Sequence, residues 1–279
     1  MKIIELGSQE AEVIVLQRLL FKLNYAIECD SIFGTQTLDA LSKFQTSNNI
    51  EPNGIVGDIT WSALFDNIKD KKIEGLDISH YDFEDGKMVD LGYVAQNFWF
   101  CYTKGTEGSN SKDKTFKPVF RELESKQFLR GVYHFFRFGN IEDEINNFMN
   151  LGIDYSQKGV LPPVLDIETA LPNGLSLNEA TTGIKTWLET IEQKTGKKPI
   201  IYTSYDKWDN ILKSPKGFET YPLWVASYTT NMVPKMPSGW KNSFIWQYTP
   251  SGTVKGATGV DLDHCSLTCK QLLELAGFN

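Results

Sequence analysis

The apolar positions of the first seventy residues recur at helical spacing. Val13, Leu16, Leu19, Leu20 and Leu23 fall on one face. The turn Asp30-Ser31-Ile32-Phe33-Gly34 follows, and Thr35 is placed to cap a second helix carrying Leu38, Leu41 and Phe44. Pro52-Asn53-Gly54-Ile55-Val56-Gly57 is dense in turn residues, and Asp58 is placed to cap a third, short helix with Trp61, Leu64, Phe65 and Ile68. The pattern predicts a compact three-helix domain over residues 1–70, small enough that its core must be well packed. A weak internal echo runs through it. Asp30-x-x-Phe33-Gly34-x-x-Thr37 matches Asn53-Gly54-Ile55-Val56-Gly57-x-x-Thr60, with a glycine ending each turn and a threonine in the first turn of the next helix. The polar stretch from Asp66 to Glu74 reads as a tight linker or a helix end.

From Gly75 the period changes. Short apolar runs occupy Gly75–Tyr81, Phe98–Lys104, Leu129–Phe136, Leu161–Glu168, Lys198–Ser204, Pro222–Tyr228, Ser243–Thr249 and Val260–His264. Helical patterns lie between the earlier ones, at Lys114–Lys126, Glu142–Tyr155, Leu177–Lys194 and Trp208–Leu212, and a last one runs near Leu267–Ala276. Repeating strand–helix units argue for a parallel sheet, and eight strands in this length for a closed barrel. Helical patterns are weak between the last three runs. The expectation is therefore an α/β chain: an irregular (β/α), TIM-like barrel over residues 71–279, its final strands joined by loops or hairpins.

Chemistry in such barrels sits at the carboxyl ends of the strands. The polar residues there are Asp77 and Ser79, Lys104, His134, Asp166 and Glu168, Tyr202 and Ser204, Tyr228, Gln247, and Asp261 and Asp263. Val164-Leu165-Asp166-Ile167-Glu168 is the sharpest signal. Residues two apart on a strand share a face, roughly 7 Å apart. Two carboxylates so placed repel, and one keeps its proton to higher pH. A carboxylic acid protonated near neutrality can donate to a leaving oxygen, which glycosidic cleavage requires. A salt-bridged pair on an edge strand is the alternative for the two residues alone; the carboxylates on other strands weigh against it. Tyr133, Tyr202, Trp224, Tyr228 and Trp246 are candidates for sugar stacking or for core packing. Lys104 either pairs with Glu107 or holds a catalytic Asp, and His134 reads as a satisfied supporting residue.

Composition narrows the partners. A net charge of −7 argues against a nucleic acid and against an anionic membrane surface. The charge is uneven: 5 basic against 10 acidic residues up to position 70, net −5, and 23 against 25 beyond, net −2. The two parts differ in kind. Aromatic residues make up 13%, which favours stacking surfaces such as sugar clefts. Cys29, Cys101, Cys265 and Cys269 form no disulfide framework. His264 beside Cys265 and Cys269 lacks the partners for a metal ligand set, so neither metal nor cofactor is expected. No run of 18 apolar residues occurs. Glu5, Glu10 and Glu12 interrupt any signal-peptide core, so synthesis in the cytoplasm without a Sec signal is expected.

Two resemblances add to this. The first seventy residues resemble the peptidoglycan-binding domain 1 family through Leu16-Gln17, Phe33-Gly34-x-x-Thr37, Phe44-Gln45, Gly54-Ile55-Val56-Gly57 and Thr60-Trp61. Asn49 stands where a glycine is common, a mild departure because Asn tolerates positive φ. From Gly75 onward, "GLDISHYD", "YTKGTEG", "RGVYHFF", "PVLDIE", "KPIIYTS", "LWVASY", "IWQYT" and "GVDLD" resemble, in order, glycoside hydrolase family 25, the Chalaropsis-type muramidases. That resemblance implies cleavage of the β-1,4 bond between N-acetylmuramic acid and N-acetylglucosamine. It implies catalytic carboxylates at Asp77, Asp166, Glu168 and Asp261, with Asp263 standing where the family often has Asn. Substrate contacts are then expected from Tyr133, Tyr202, Trp224, Tyr228, Gln247 and Lys104. A monomer acting on peptidoglycan strands outside the cytoplasm is expected; without a Sec signal it would be released by a holin, delivered by an injection or secretion apparatus, or freed as an autolysin by lysis. A non-catalytic wall binder, or a hydrolase of another N-acetylglucosamine polymer such as chitin, is the alternative.

Overall fold

A computed structural model describes residues 1–229 and 233–278. The chain divides into two compact units, one running from Met1 to Lys72 and resuming at Leu267, the other Ile73–Ser266.

The first unit holds α1 (Glu12–Lys22), α2 (Thr35–Ser47) and α3 (Asp58–Ile68), close to the periodicity reading. The caps differ from that reading. Gly34 and Gly57 are the N-caps, extended and without a side-chain cap, so Thr35 and Asp58 are the first helical residues rather than caps. Buried glutamines hold the turns instead. Gln17 of α1 donates through Nε2 to Asp30 Oδ1 (2.7 Å), Ile32 O (3.1 Å) and Thr37 Oγ1 (3.1 Å), and its Oε1 accepts from Ser31 N (2.8 Å). Gln45 of α2 repeats the pattern on Asn53 Oδ1 (3.3 Å), Ile55 O (2.9 Å), Thr60 Oγ1 (3.3 Å) and Gly54 N (3.2 Å). Ser31 and Gly54 take the same left-handed conformation, φ 66° and 73°. The sequence echo is thus a structural repeat: helix glutamine, turn, helix threonine. Asn49 does adopt positive φ, 56°.

The second unit is the barrel. Its strands are β1 (Ile73–Ile78), β2 (Phe100–Glu107), the two-residue β3 (Ser111–Lys112), β4 (Leu129–Phe135), β5 (Val164–Asp166), β6 (Ile200–Ser204), β7 (Leu223–Ala226), β8 (Ile245–Val254) and β9 (Ala257–Cys265). Neighbours follow the order β1-β9-β8-β7-β6-β5-β4-β2-β3, and a β1–β2 pairing closes eight strands into a ring with β3 outside it. Pairings from β1 through β2, β4, β5, β6, β7 to β8 are parallel; β9 is antiparallel to both neighbours. The expected irregularity is therefore a β8–β9 hairpin.

Around the ring lie α4 (Leu91–Asn97), α5 (Phe116–Ser125), α6 (Ile141–Met149) and α7 (Leu177–Thr195). Asp90 caps α4, a helix too short to leave a clear period in the sequence. Asp206–Ile211 forms a short π-helix close to the helix expected at Trp208–Leu212. Ile184, Trp187, Leu188 and Ile191 of α7 are fully buried against Val132, Leu165 and Ile201 on the outer faces of the strands. Inside the ring, Tyr102 and Trp224 pack at 5.0 Å and fill the floor. A Cβ on Gly131 would stand 2.0 Å from the Tyr102 ring, so glycine makes the room. The chain leaves the barrel after β9 and ends its described part in α8 (Cys269–Leu275), which packs against α3 in the first unit.

Candidate active site

One mouth of the barrel opens into a cavity of about 270 Å³. Asp77, Asp166, Glu168 and Asp261 line it, with Lys104, Tyr133, Tyr202, Trp224, Tyr228 and Gln247. All the residues singled out as catalytic, stacking or substrate-contact candidates except Trp246 reach this space. Ser79 was visible as a polar strand end. Tyr81, Phe135, Val164 and Pro250 also line the cavity, and the strand-end argument missed them. Tyr81 stands on the turn after β1, 65% exposed, and Pro250 on the β8–β9 hairpin, beyond where a barrel strand was expected to stop. Trp246 is not among the lining residues; its Nε1 donates to Ser227 O at 2.8 Å.

Strand alternation delivers the central pair. Asp166 ends β5, in register with Phe135 of β4 and Tyr202 of β6. Ile167 turns outward into the helix-side core, so Asp166 and Glu168 both face the cavity. Asp166 is 5% exposed, and its Oδ1 has no hydrogen-bond partner among the described residues. Burial, then the charge of Glu168, pushes the Asp166 carboxyl well above the usual carboxylate range. Glu168 is less enclosed. Burial raises its carboxyl too, against the pull of Lys207, Lys104 and Arg137. Two repelling carboxyls hold one proton between them, and Glu168 is the member exposed enough to pass it to a substrate, leaving Asp166 as the charged partner.

Asp77 of β1 lies opposite Asp261 of β9. Gln247 Nε2 donates to Asp77 Oδ2 at 2.6 Å, and Gln247 Oε1 accepts from Tyr202 (2.8 Å) and Tyr228 (2.7 Å). This one amide fixes a carboxylate and two phenols along the wall. Tyr228 is 55% exposed; Trp224 is 1% exposed and enters as floor. Burial, then Asp261 and Asp263, raises Asp77 strongly. Asp261 is pushed up to about 7 by burial, then by Asp82 and Glu168.

The direction of β9 separates Asp261 from Asp263. On a parallel strand the later residue would lie nearer the mouth. Because β9 is antiparallel, Asp263 lies deeper, wholly buried, its Oδ1 accepting from Trp224 Nε1 at 2.9 Å. Asp261 keeps the mouth. His134 points the other way from the cavity and is satisfied by Thr106 (Nδ1, 2.7 Å) and Glu144 (Nε2, 2.9 Å). Lys104 pairs with Glu107 at 2.6 Å.

A family model described as Glycosyl hydrolases family 25 matches residues 76–257, and a peptidoglycan binding domain model matches residues 9–64. The chain is 30% identical to lysozyme M1 of Streptomyces globisporus over 213 residues, 73% of this chain and 71% of that protein. It is 27% identical to the N,O-diacetylmuramidase of Chalaropsis sp, over 63% of this chain and 87% of the relative. Among solved structures it is similar to a bacterial lysozyme from Streptomyces coelicolor, with TM-score 0.67 and 29% identity, over 74% of this chain and 98% of that one.

Proposed function

The chain belongs to glycosyl hydrolases family 25, and from that premise we propose that it is a lysozyme: an N-acetylmuramidase that cuts the β-1,4 bond between N-acetylmuramic acid and N-acetylglucosamine in peptidoglycan, with Glu168 as its acid. One observation supports the assignment of residues above the rest: Asp166 and Glu168 share one cavity with Asp77 and Asp261, and burial raises all four.

The steps follow from the positions. Glu168 gives its proton to the glycosidic oxygen as the bond from C1 to that oxygen breaks. The acetamido oxygen of the muramic acid residue closes onto C1 and forms a cyclic oxazolinium. Asp166 holds the acetamido N–H and offsets the developing positive charge. Asp77 and Asp261 position the sugar and add to that field. Glu168, now a carboxylate, takes a proton from the water that opens the ring. This is substrate-assisted retention, an exception to the two-carboxylate scheme. The first unit supplies peptidoglycan binding, and tethering raises the local concentration of glycan strands when both sites engage one wall. The substrate lies outside the cytoplasmic membrane. The protein then acts, as a monomer, after release through a holin-type pore or delivery by an injection or secretion apparatus.

Mass spectrometry of fragments released from purified peptidoglycan tests the reading. Wild type should yield reducing N-acetylmuramic acid ends, and Glu168→Gln should lower their rate of release by about 10²–10⁴-fold. Anhydro ends would indicate a transglycosylase and N-acetylglucosamine ends a glucosaminidase. No fragments, with wall binding intact, would indicate a binder without catalysis. Proton NMR of the first products should show the β anomer ahead of mutarotation; an initial α anomer would remove the role given to Asp166.

A further inference from the structure

Beside the carboxyl pair stands a charged cluster that the steps above do not use. Glu107 accepts from Lys104 Nζ through Oε2 at 2.6 Å and from Arg137 through Oε1, at 2.9 Å from Nε and 2.6 Å from the terminal nitrogen. Both cations also lie over the Phe135 ring, at 4.4 Å and 4.5 Å from its centroid. Phe135 is in register with Glu107 on one side and Asp166 on the other. The cluster therefore abuts the reacting pair.

A backbone irregularity builds it. In an even strand Lys104 would share its face with Thr106, and Glu107 would point away. The register of β2 on β4 slips between Lys104 and Thr106, leaving Gly105 as the extra residue. Thr106 consequently turns outward to His134, while Lys104 and Glu107 both reach the cavity side. No other residue fits position 105 without movement: a Cβ there would stand 2.4 Å from Val132 and 2.6 Å from Leu151.

The geometry points to Glu107 as a positioning residue: it ties Lys104 and Arg137 to fixed places on the wall, keeps them from closing onto Asp166 and Glu168, and so sets the pH at which the enzyme loses its acid. This role rests on Glu168 being that acid. The titratable and charged groups facing Glu168 are Asp166 at the end of β5, Lys104 and Glu107 from β2, Arg137 after β4, Tyr202 of β6, Lys207 after β6, Tyr228 after β7 and Asp261 of β9. Removing Glu107 takes away one repelling charge and releases two cations. Both changes favour the ionised form of Glu168, so the proton is lost at lower pH. Removing Arg137 has the opposite sign, because Glu107 stays beside the pair with one counter-charge fewer.

The test is the pH dependence of kcat/KM on soluble glycan fragments, which reports the free enzyme's acid. In Glu107→Gln the alkaline limb should move down by about one pH unit. In Glu107→Asp it should lie between that of Glu107→Gln and wild type. In Arg137→Gln, at a half-exposed position, the limb should move up. Limbs displaced in opposite directions support the assignment. Limbs that stay in place, whatever the fall in kcat, or that move together, overturn it. If Glu107→Gln does not fold, the Arg137→Gln limb carries the same two outcomes alone. Glu168→Gln separates the two readings: a surviving wild-type limb there removes Glu168 as the acid, whereas its loss beside unmoved Glu107 and Arg137 limbs removes only the role of Glu107.

Discussion

Asp261 and Asp263 differ by two positions and by burial. Both residue types were legible at the end of an apolar run. Which one meets the cavity was legible only by resemblance, because alternation gives the face of a strand and not its direction. The antiparallel β9 supplies the missing fact. Lys104 and Glu107 teach a related lesson: a side-chain period of two cannot foresee the slip at Gly105. Asp261 also carries a prediction about stability. Its carboxyl stands at about 7 in the fold, against 3.8 for an ordinary aspartate, chiefly through burial. The folded state thus prefers the proton, and the stability this contributes is full below 3.8 and lost as pH rises through about 7. Asp261→Asn should leave urea unfolding unchanged at acid pH and add on the order of 2 kcal/mol on the alkaline side, allowing for solvent screening. An equal gain at both pH values would mean that repacking, not charge, was responsible.

Helices and strands were legible to within a few residues where the period was long, as in α7 and the eight ring strands. Their ends were not. Thr35 and Asp58 look like caps because such residues favour that position. Gly34 and Gly57 take it instead, since Gln17 and Gln45 already bind the turn from the preceding helix. A long-range side-chain clamp leaves no local signature except the echo itself. The two copies differ in tightness. Gln17 has contacts at 2.7 and 2.8 Å, whereas three of the four made by Gln45 are 3.2 Å or longer. Each amide is buried, and its removal takes the acceptor from the Ser31 or Gly54 N–H and a donor from the turn carbonyl. Gln17→Ala should cost about 2–3 kcal/mol in denaturant unfolding and Gln45→Ala less. The reverse order would show that the turn at Asn53 and Gly54, not the one at Asp30 and Ser31, holds the unit together.

At the scale of the whole chain, the change of period at Gly75 announced two kinds of structure, and the uneven charge agreed with it. The return of the chain did not announce itself. Leu267–Ala276 reads as one more amphipathic stretch after a strand, which in a barrel belongs to the barrel. The apolar face of α8 instead joins the first unit, with Leu272 and Leu273 buried at 2% and 4% exposure. A period gives the face of a helix and says nothing of what covers it. If α8 belongs energetically to the wall-binding unit, Leu272→Ala should weaken that unit by about 2–4 kcal/mol, as a truncated core leucine does. Co-sedimentation with insoluble peptidoglycan should then fail at a lower temperature than in wild type. The initial rate on short soluble glycans, which needs only the barrel cavity, should hold at that same temperature. Loss of both together would show instead that α8 supports the catalytic unit, and that the barrel is complete only with the helix that follows β9.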